Sequence, residues 1–167
     1  QTQPWTAKQA FVLSGRSFFP LRKVEKDLDI VLDGNTVSYL GYRYYLGNDI
    51  ATTTIEQTFT PDAAELKVWE EPVPWGRYAI GCDPAYGRSD WGDSNCIHVS
   101  RCYADKLVQV AEWGSPDPET FQVTWALAHI ASLYEDCYIN LEVSGPGMAI
   151  MTEMRRIKQT LQSQSHA

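Results

Sequence analysis

Tyr78-Ala79-Ile80-Gly81-Cys82-Asp83-Pro84 is a short apolar run that stops at an Asp-Pro pair. Its aromatic and β-branched content and its Gly/Pro punctuation predict a buried strand with a carboxylate at its C-terminal end. Working outward, Asn95 to Arg101 alternates Cys96, His98 and Ser100 against Ile97, Val99 and Arg101, the period of a second strand. Leu107 to Trp113 predicts a third. The connection Tyr103-Ala104-Asp105-Lys106 is short enough to make the second and third strands a hairpin. Asp117-Pro118 predicts a helix start, with Asp117 as N-cap and Pro118 in the first turn. Val123, Leu127, Ile130 and Tyr134 form that helix's apolar face, and Asp136 ends it. Tyr138 to Val143 predicts a fourth strand. Gly145-Pro146-Gly147 then turns the chain into a second helix with the stripe Ile150, Met154, Ile157 and Leu161. The order is β-β-β-α-β-α. A helical crossover between the third and fourth strands implies a mixed α/β sheet with parallel pairing there.

Upstream, the chain divides near Pro72-Val73-Pro74-Trp75-Gly76. Thr6-Ala7-Lys8-Gln9 predicts a capping box for a short helix through Leu13. Pro20 opens a second helix with the stripe Leu21, Val24, Leu28 and Val31, stopped by Asp33-Gly34-Asn35. Val37, Tyr39, Tyr42 and Tyr44 predict a strand; Ile55, Gln57 and Phe59 another; Leu66 and Val68 a third. This gives an N-terminal α+β arm, divided into 1–35 and a β-rich 36–75, ahead of a domain over 76–167.

With 167 residues, 44% hydrophobic and 21% charged, the chain is long enough for one well-buried core and a short appendage. Its apolar runs are too short to cross a bilayer, so no membrane partner is expected. No basic stretch followed by an apolar run marks a secretory signal. Cys82, Cys96, Cys102 and Cys137 form no C-x-x-C pair, which argues against zinc. Cys82, Cys96 and Cys137 read as small hydrophobes of a reducing cytoplasm. A net charge of −7 excludes a uniformly basic nucleic-acid coat, so any DNA contact has to be local.

Asp83 and Glu142 carry the chemistry. A carboxylate embedded in Ile139-Asn140-Leu141-Glu142-Val143 is costly without a partner. Two carboxylates at neighbouring strand ends repel one another, and a divalent cation relieves both problems. Mg²⁺ prefers carboxylate oxygen and keeps waters for substrate phosphate. Such an ion polarises a phosphodiester and generates hydroxide for in-line attack. Structural roles compete with this: an Asp before Pro is a common turn former, and a strand Glu can simply face water. Trp91 and Trp113 read as core or surface aromatics, His98 as structural, and Gly145-Pro146-Gly147 as a strand-to-helix turn without P-loop spacing. Arg155, Arg156 and Lys158 lie on the polar side of the last helix, either a solvated face or a contact for DNA phosphates.

Tyr78 to Gly87 followed by Gly92-Asp93-Ser94 resembles the first nuclease motif of the large subunits of tailed-phage DNA-packaging terminases. There a strand ends in an Asp-Pro-Ala-type turn, and a second Asp precedes the next strand. Leu141-Glu142-Val143-Ser144-Gly145-Pro146-Gly147 resembles their second motif, and Pro4 to Phe19 is similar to the segment that follows their ATPase motor. The resemblance implies a ribonuclease H-like domain over 76–167 that cuts concatemeric double-stranded viral DNA with Mg²⁺ or Mn²⁺, two ions in the complete site. By the same resemblance Asp83 and Glu142 match the first two metal-binding carboxylates, and Asp93 an acidic position near them. The implied partners are DNA, the portal protein and the small terminase subunit, in the host cell cytoplasm. The chain departs from the pattern in two ways. It has no G-x-x-x-x-G-K-[ST] loop, so 1–35 reads as a segment following an absent motor. It also ends at Ala167, directly after the helix that follows Glu142, before the place of the family's third carboxylate. The nuclease domain is therefore expected to be truncated at its C-terminus, and weak or inactive alone. A non-catalytic ribonuclease H-like scaffold and a junction-resolvase-type nuclease are the competing expectations. The N-terminal segment favours terminase over resolvase, since a resolvase has no motor to be linked to.

Overall fold

The computed structural model describes residues 38–49, 52–86 and 94–164, with Arg22, Lys23, Lys26 and Asp29. The chain falls into two compact units, Gln1–Ser38 and Tyr39–Ala167. In the first unit, Arg22, Lys23, Lys26 and Asp29 are helical and exposed. The predicted helix through Leu13, the stripe Leu21, Val24, Leu28, Val31, and Trp91 lie outside the described residues.

The second unit is built on one seven-stranded mixed sheet. Its strands are β1 (Leu40–Tyr45), β2 (Thr54–Thr58), β3 (Leu66–Val68), β4 (Tyr78–Asp83), β5 (Asn95–Cys102), β6 (Leu107–Ser115) and β7 (Cys137–Leu141). A 3₁₀ turn over Pro61–Ala63 links β2 to β3. The spatial order is β2-β1-β3-β6-β5-β4-β7. Neighbours are antiparallel except β4 and β7, which run parallel with Tyr78 opposite Cys137 and Cys82 opposite Leu141. The crossover between β6 and β7 is α1 (Thr120–Leu133), and α2 (Gly147–Gln164) follows β7. The block β6-β5-β4-β7, an antiparallel meander with one parallel strand added through a helix, is the core of a ribonuclease H-like α/β fold. The strands within 36–75 extend the same sheet through the β3–β6 pairing.

Alternation along the strands separates two faces. One carries Tyr44, Leu66, Val68, Tyr78, Ile80, Cys82, Ile97, Val99, Ala111 and Trp113, all buried. These pack with Val123, Ala126, Leu127, Ile130 and Tyr134 of the α1 segment and Ile150 of α2 in one cluster. The other face carries Arg43, Lys67, Glu112, His98, Ser100, Gly81, Asp83 and Asn140. It is half-buried to exposed, and contributes nothing to that cluster among the described residues.

Several local expectations change. Asp117 is not the N-cap: α1 begins at Thr120 with Glu119 as N-cap. Gln122 decides this. Its side-chain oxygen accepts the Glu119 N–H at 2.9 Å, and its amide donates to the carbonyls of Leu46 and Gly47 at 3.1 and 2.9 Å. The helix stops at Leu133 rather than Asp136, whose φ of 55° makes the reversal into β7. β7 ends at Leu141, so Glu142 and Val143 lie just beyond the strand. On α2, Ile150 is fully buried and Met154 partly so, but Leu161 is 61% exposed: packing fades along the helix. The cysteines are free thiols; burial pushes the Cys82 thiol up to about 12.

Candidate active site

Asp83 is the last residue of β4, and Glu142 immediately follows β7. The ladder runs one step past the strand end: the Glu142 N–H donates to the Cys82 carbonyl at 3.0 Å. The two acids therefore leave adjacent parallel strands at the same level, about 4.8 Å apart across the sheet. Alternation puts both on the face away from Cys82 and Leu141, the open polar one.

Each acid is held from behind. Beyond Asp83, the Ala85 N–H donates to Asn95 Oδ1 at 2.9 Å, and Asn95 Nδ2 donates to the Ser115 carbonyl at 3.2 Å. Asn95 is fully buried, so it clamps the exit of β4 onto β5 and β6. Sequence reasoning saw Asn95 only as a strand start; a buried amide at a strand's first position carries no local signature, because both its partners are distant in sequence. Beyond Glu142, the Ser144 hydroxyl donates to Glu142 Oε1. Gly145 takes φ 56°, a left-handed conformation that suits glycine, and Tyr86 packs against it: a Cβ there would lie 3.1 Å from the ring. The Gly147 N–H donates to the Ser144 carbonyl at 3.2 Å, closing the turn into α2.

The donor chemistry fits a hard divalent cation. Two carboxylate residues leave neighbouring strand ends, and Mg²⁺ is commonly held by one or two carboxylates plus waters and substrate phosphate. Among the described residues, no group of three or more His, Cys, Asp or Glu side chains forms a metal-ligand cluster. Asp93 lies outside the described residues.

Arg155, Arg156 and Lys158 are all exposed on α2. Arg156 is engaged by Glu153 through two bonds, Nε to Oε2 at 2.8 Å and Nη2 to Oε1 at 2.5 Å. This pairing holds the Glu153 carboxyl below its ordinary value and raises the Arg156 guanidinium. Arg155 Nη2 rests 3.6 Å from Met151 Sδ. Trp113 is fully buried against Tyr44, at a ring separation of 6.0 Å. No described helix is long and apolar enough to cross a membrane.

No protein-family model and no curated protein matches the chain. Among solved structures it is similar to the large terminase nuclease from thermophilic phage G20c, with 18% identity and a TM-score of 0.45. The match covers 56% of this chain and 46% of that one, so the chain spans less than half of that nuclease.

Proposed function

We propose that this chain is part of the metal-dependent endonuclease domain of a viral terminase large subunit, acting on concatemeric double-stranded DNA. The observation that carries the proposal is the Glu142 N–H to Cys82 carbonyl bond, which sets Glu142 beside Asp83 at the ends of parallel strands. The motif resemblances around Asp83 and Glu142 support the same choice. When bound, Mg²⁺ or Mn²⁺ supplies Lewis-acid polarisation of a phosphodiester and an acidified water. Asp83 and Glu142 hold the ion, Asp93 being a further candidate donor. Asn95 keeps the exit of Asp83 in place, and Ser144 fixes the orientation of the Glu142 carboxylate by donating to one of its oxygens. Contacts with the portal protein and the small subunit belong to the same proposal.

The test is metal-dependent stability, followed by plasmid nicking. Mn²⁺ at about a hundred times its dissociation constant is expected to stabilise the folded protein by about 2.7 kcal/mol. Asp83→Asn and Glu142→Gln should each remove most of that gain, and any nicking with it. Stabilisation that survives both substitutions sinks the proposal. No metal response in the unaltered protein favours a non-catalytic scaffold instead.

A further inference from the structure

β4 has a glycine in its interior, Gly81, in a strand paired on both sides. Glycine weakens a strand there, and often marks a close approach by another group. The approaching group is His98, directly opposite on β5. A Cβ built on Gly81 would lie 2.3 Å from His98 Cε1, 2.8 Å from Nε2 and 3.0 Å from Nδ1. The tip of the imidazole fills the space that any other residue at 81 would need.

Nothing about this seat serves the core. His98 is exposed, on the sheet face opposite the hydrophobic cluster, and its ring makes no hydrogen bond to another described residue. Its cross-strand partner on the other side, Glu112, is engaged elsewhere, accepting from Gln109 Nε2 at 3.1 Å and lying 3.9 Å from Lys67 Nζ. In the same cross-sheet row, Asn140 of β7 pairs with Gly81 and is also exposed. Asp83 and Glu142 follow on this face two residues further along, about 6.6 Å down the strands. An imidazole and a carboxamide thus stand beside the acid pair on an open surface.

We propose that His98 is a substrate-contacting residue, a ring N–H donating to a non-bridging phosphate oxygen of the DNA strand held at Asp83 and Glu142. Gly81 is the glycine that seats it. Hydrogen bonds from imidazole to phosphate are charge-assisted, and among the stronger kind. This inference rests on the nuclease site proposed above, and adds to it a phosphate-positioning group from β5.

The test is a titration of the protein with a short DNA duplex in Mg²⁺. It is followed at the His98 Cε1–H NMR signal, with the His129 signal as internal reference. The His98 signal is expected to move and the His129 signal to stay. His98→Ala should weaken binding about tenfold, the loss of one hydrogen bond to a charged group. His98→Gln, which keeps an N–H donor, should recover part of it. Gly81→Ala, which evicts the ring while leaving the histidine present, should match His98→Ala, with circular dichroism checking that the sheet persists. If Gly81→Ala unfolds the protein, the His98 variants decide alone. A stationary His98 signal together with unchanged affinity in His98→Ala overturns the inference. Asp83→Asn separates the two levels: Mg²⁺-dependent binding that persists in that variant counts against the nuclease site, not against His98.

Discussion

Gly147 stands so close behind Glu142 that a Cβ at position 147 would lie 1.8 Å from the Glu142 carbonyl oxygen. No side-chain rotation relieves a clash with backbone, so Gly147→Ala has to move the peptide that carries Glu142. Forced overpacking of this kind costs about 1–3 kcal/mol. A lowered melting temperature with weakened Mn²⁺ affinity is the expected outcome. Unchanged affinity in a destabilised variant would mean that the Glu142 carboxylate is positioned independently of this turn.

Ile150 and Leu161 share one stripe of α2 but not one environment. Ile150 is fully buried in the core cluster, and Leu161 is 61% exposed. Ile150→Ala is expected to cost about 2–5 kcal/mol through lost burial and a residual cavity. Leu161→Ala should stay within about 0.5 kcal/mol of the parent, as surface changes do. Chemical denaturation of both variants checks the contrast. A large loss at Leu161 would mean that another surface covers the end of the helix.

These two residues show where periodicity stops being informative. The stripe names a face, but how far the sheet reaches along the helix is a tertiary quantity. The buried strand at Tyr78–Asp83 and the hairpin of β5 and β6 were legible, because alternation and loop length constrain them locally; the helical crossover implied a parallel strand, but its partner is β4 rather than β6, a choice made by the whole sheet. The three-residue β3 finds its place only through pairing with β1 and β6. The start of α1 was misread because Gln122, reaching back to the carbonyls just after β1, outweighed the local Asp-Pro signal. Asp83 and Glu142 stood out as acids in apolar runs. Asn95 and the seat of His98 over Gly81 depend on partners in other strands, which no local spacing reveals.

His129 and Tyr44 meet beneath the sheet, His129 Nδ1 2.8 Å from the Tyr44 hydroxyl. Burial lowers the His129 pKa below its ordinary 6.5 and, with Glu65 nearby, raises that of Tyr44. Glu71 and His129 line one cavity. Between the lowered folded value and 6.5 the unfolded chain binds the proton better, so stability rises with pH across that window. The contribution of the neutral ring is whole above pH 6.5, and is lost as pH falls through the folded value. Melting temperatures followed down from about pH 7.5 should therefore drop below pH 6.5. His129→Gln, which does not titrate, should flatten that part of the curve. An unaltered profile in the variant would assign the pH dependence to other groups.

The cations on α2 divide by their partners, which makes their contribution to DNA binding separable. Arg156 is already paired twice with Glu153, whereas Lys158 has no ion-pair partner among the described residues. Each phosphate neutralised steepens the dependence of log affinity on log salt by about 0.9 for duplex DNA. If α2 faces the DNA, Lys158→Ala should weaken binding and flatten the slope by about that amount. Arg156→Ala should do less, because its charge is largely satisfied within the helix. Glu153→Ala should then strengthen binding and steepen the slope, since it releases Arg156 and removes a negative charge from a chain whose net charge is −7. Salt titrations of duplex affinity for the three variants provide the measurement. Affinity and slope that stay constant in all three, and in the Arg155, Arg156, Lys158 triple alanine variant, would assign this face of α2 to solvent and leave DNA contact to the open face of the sheet.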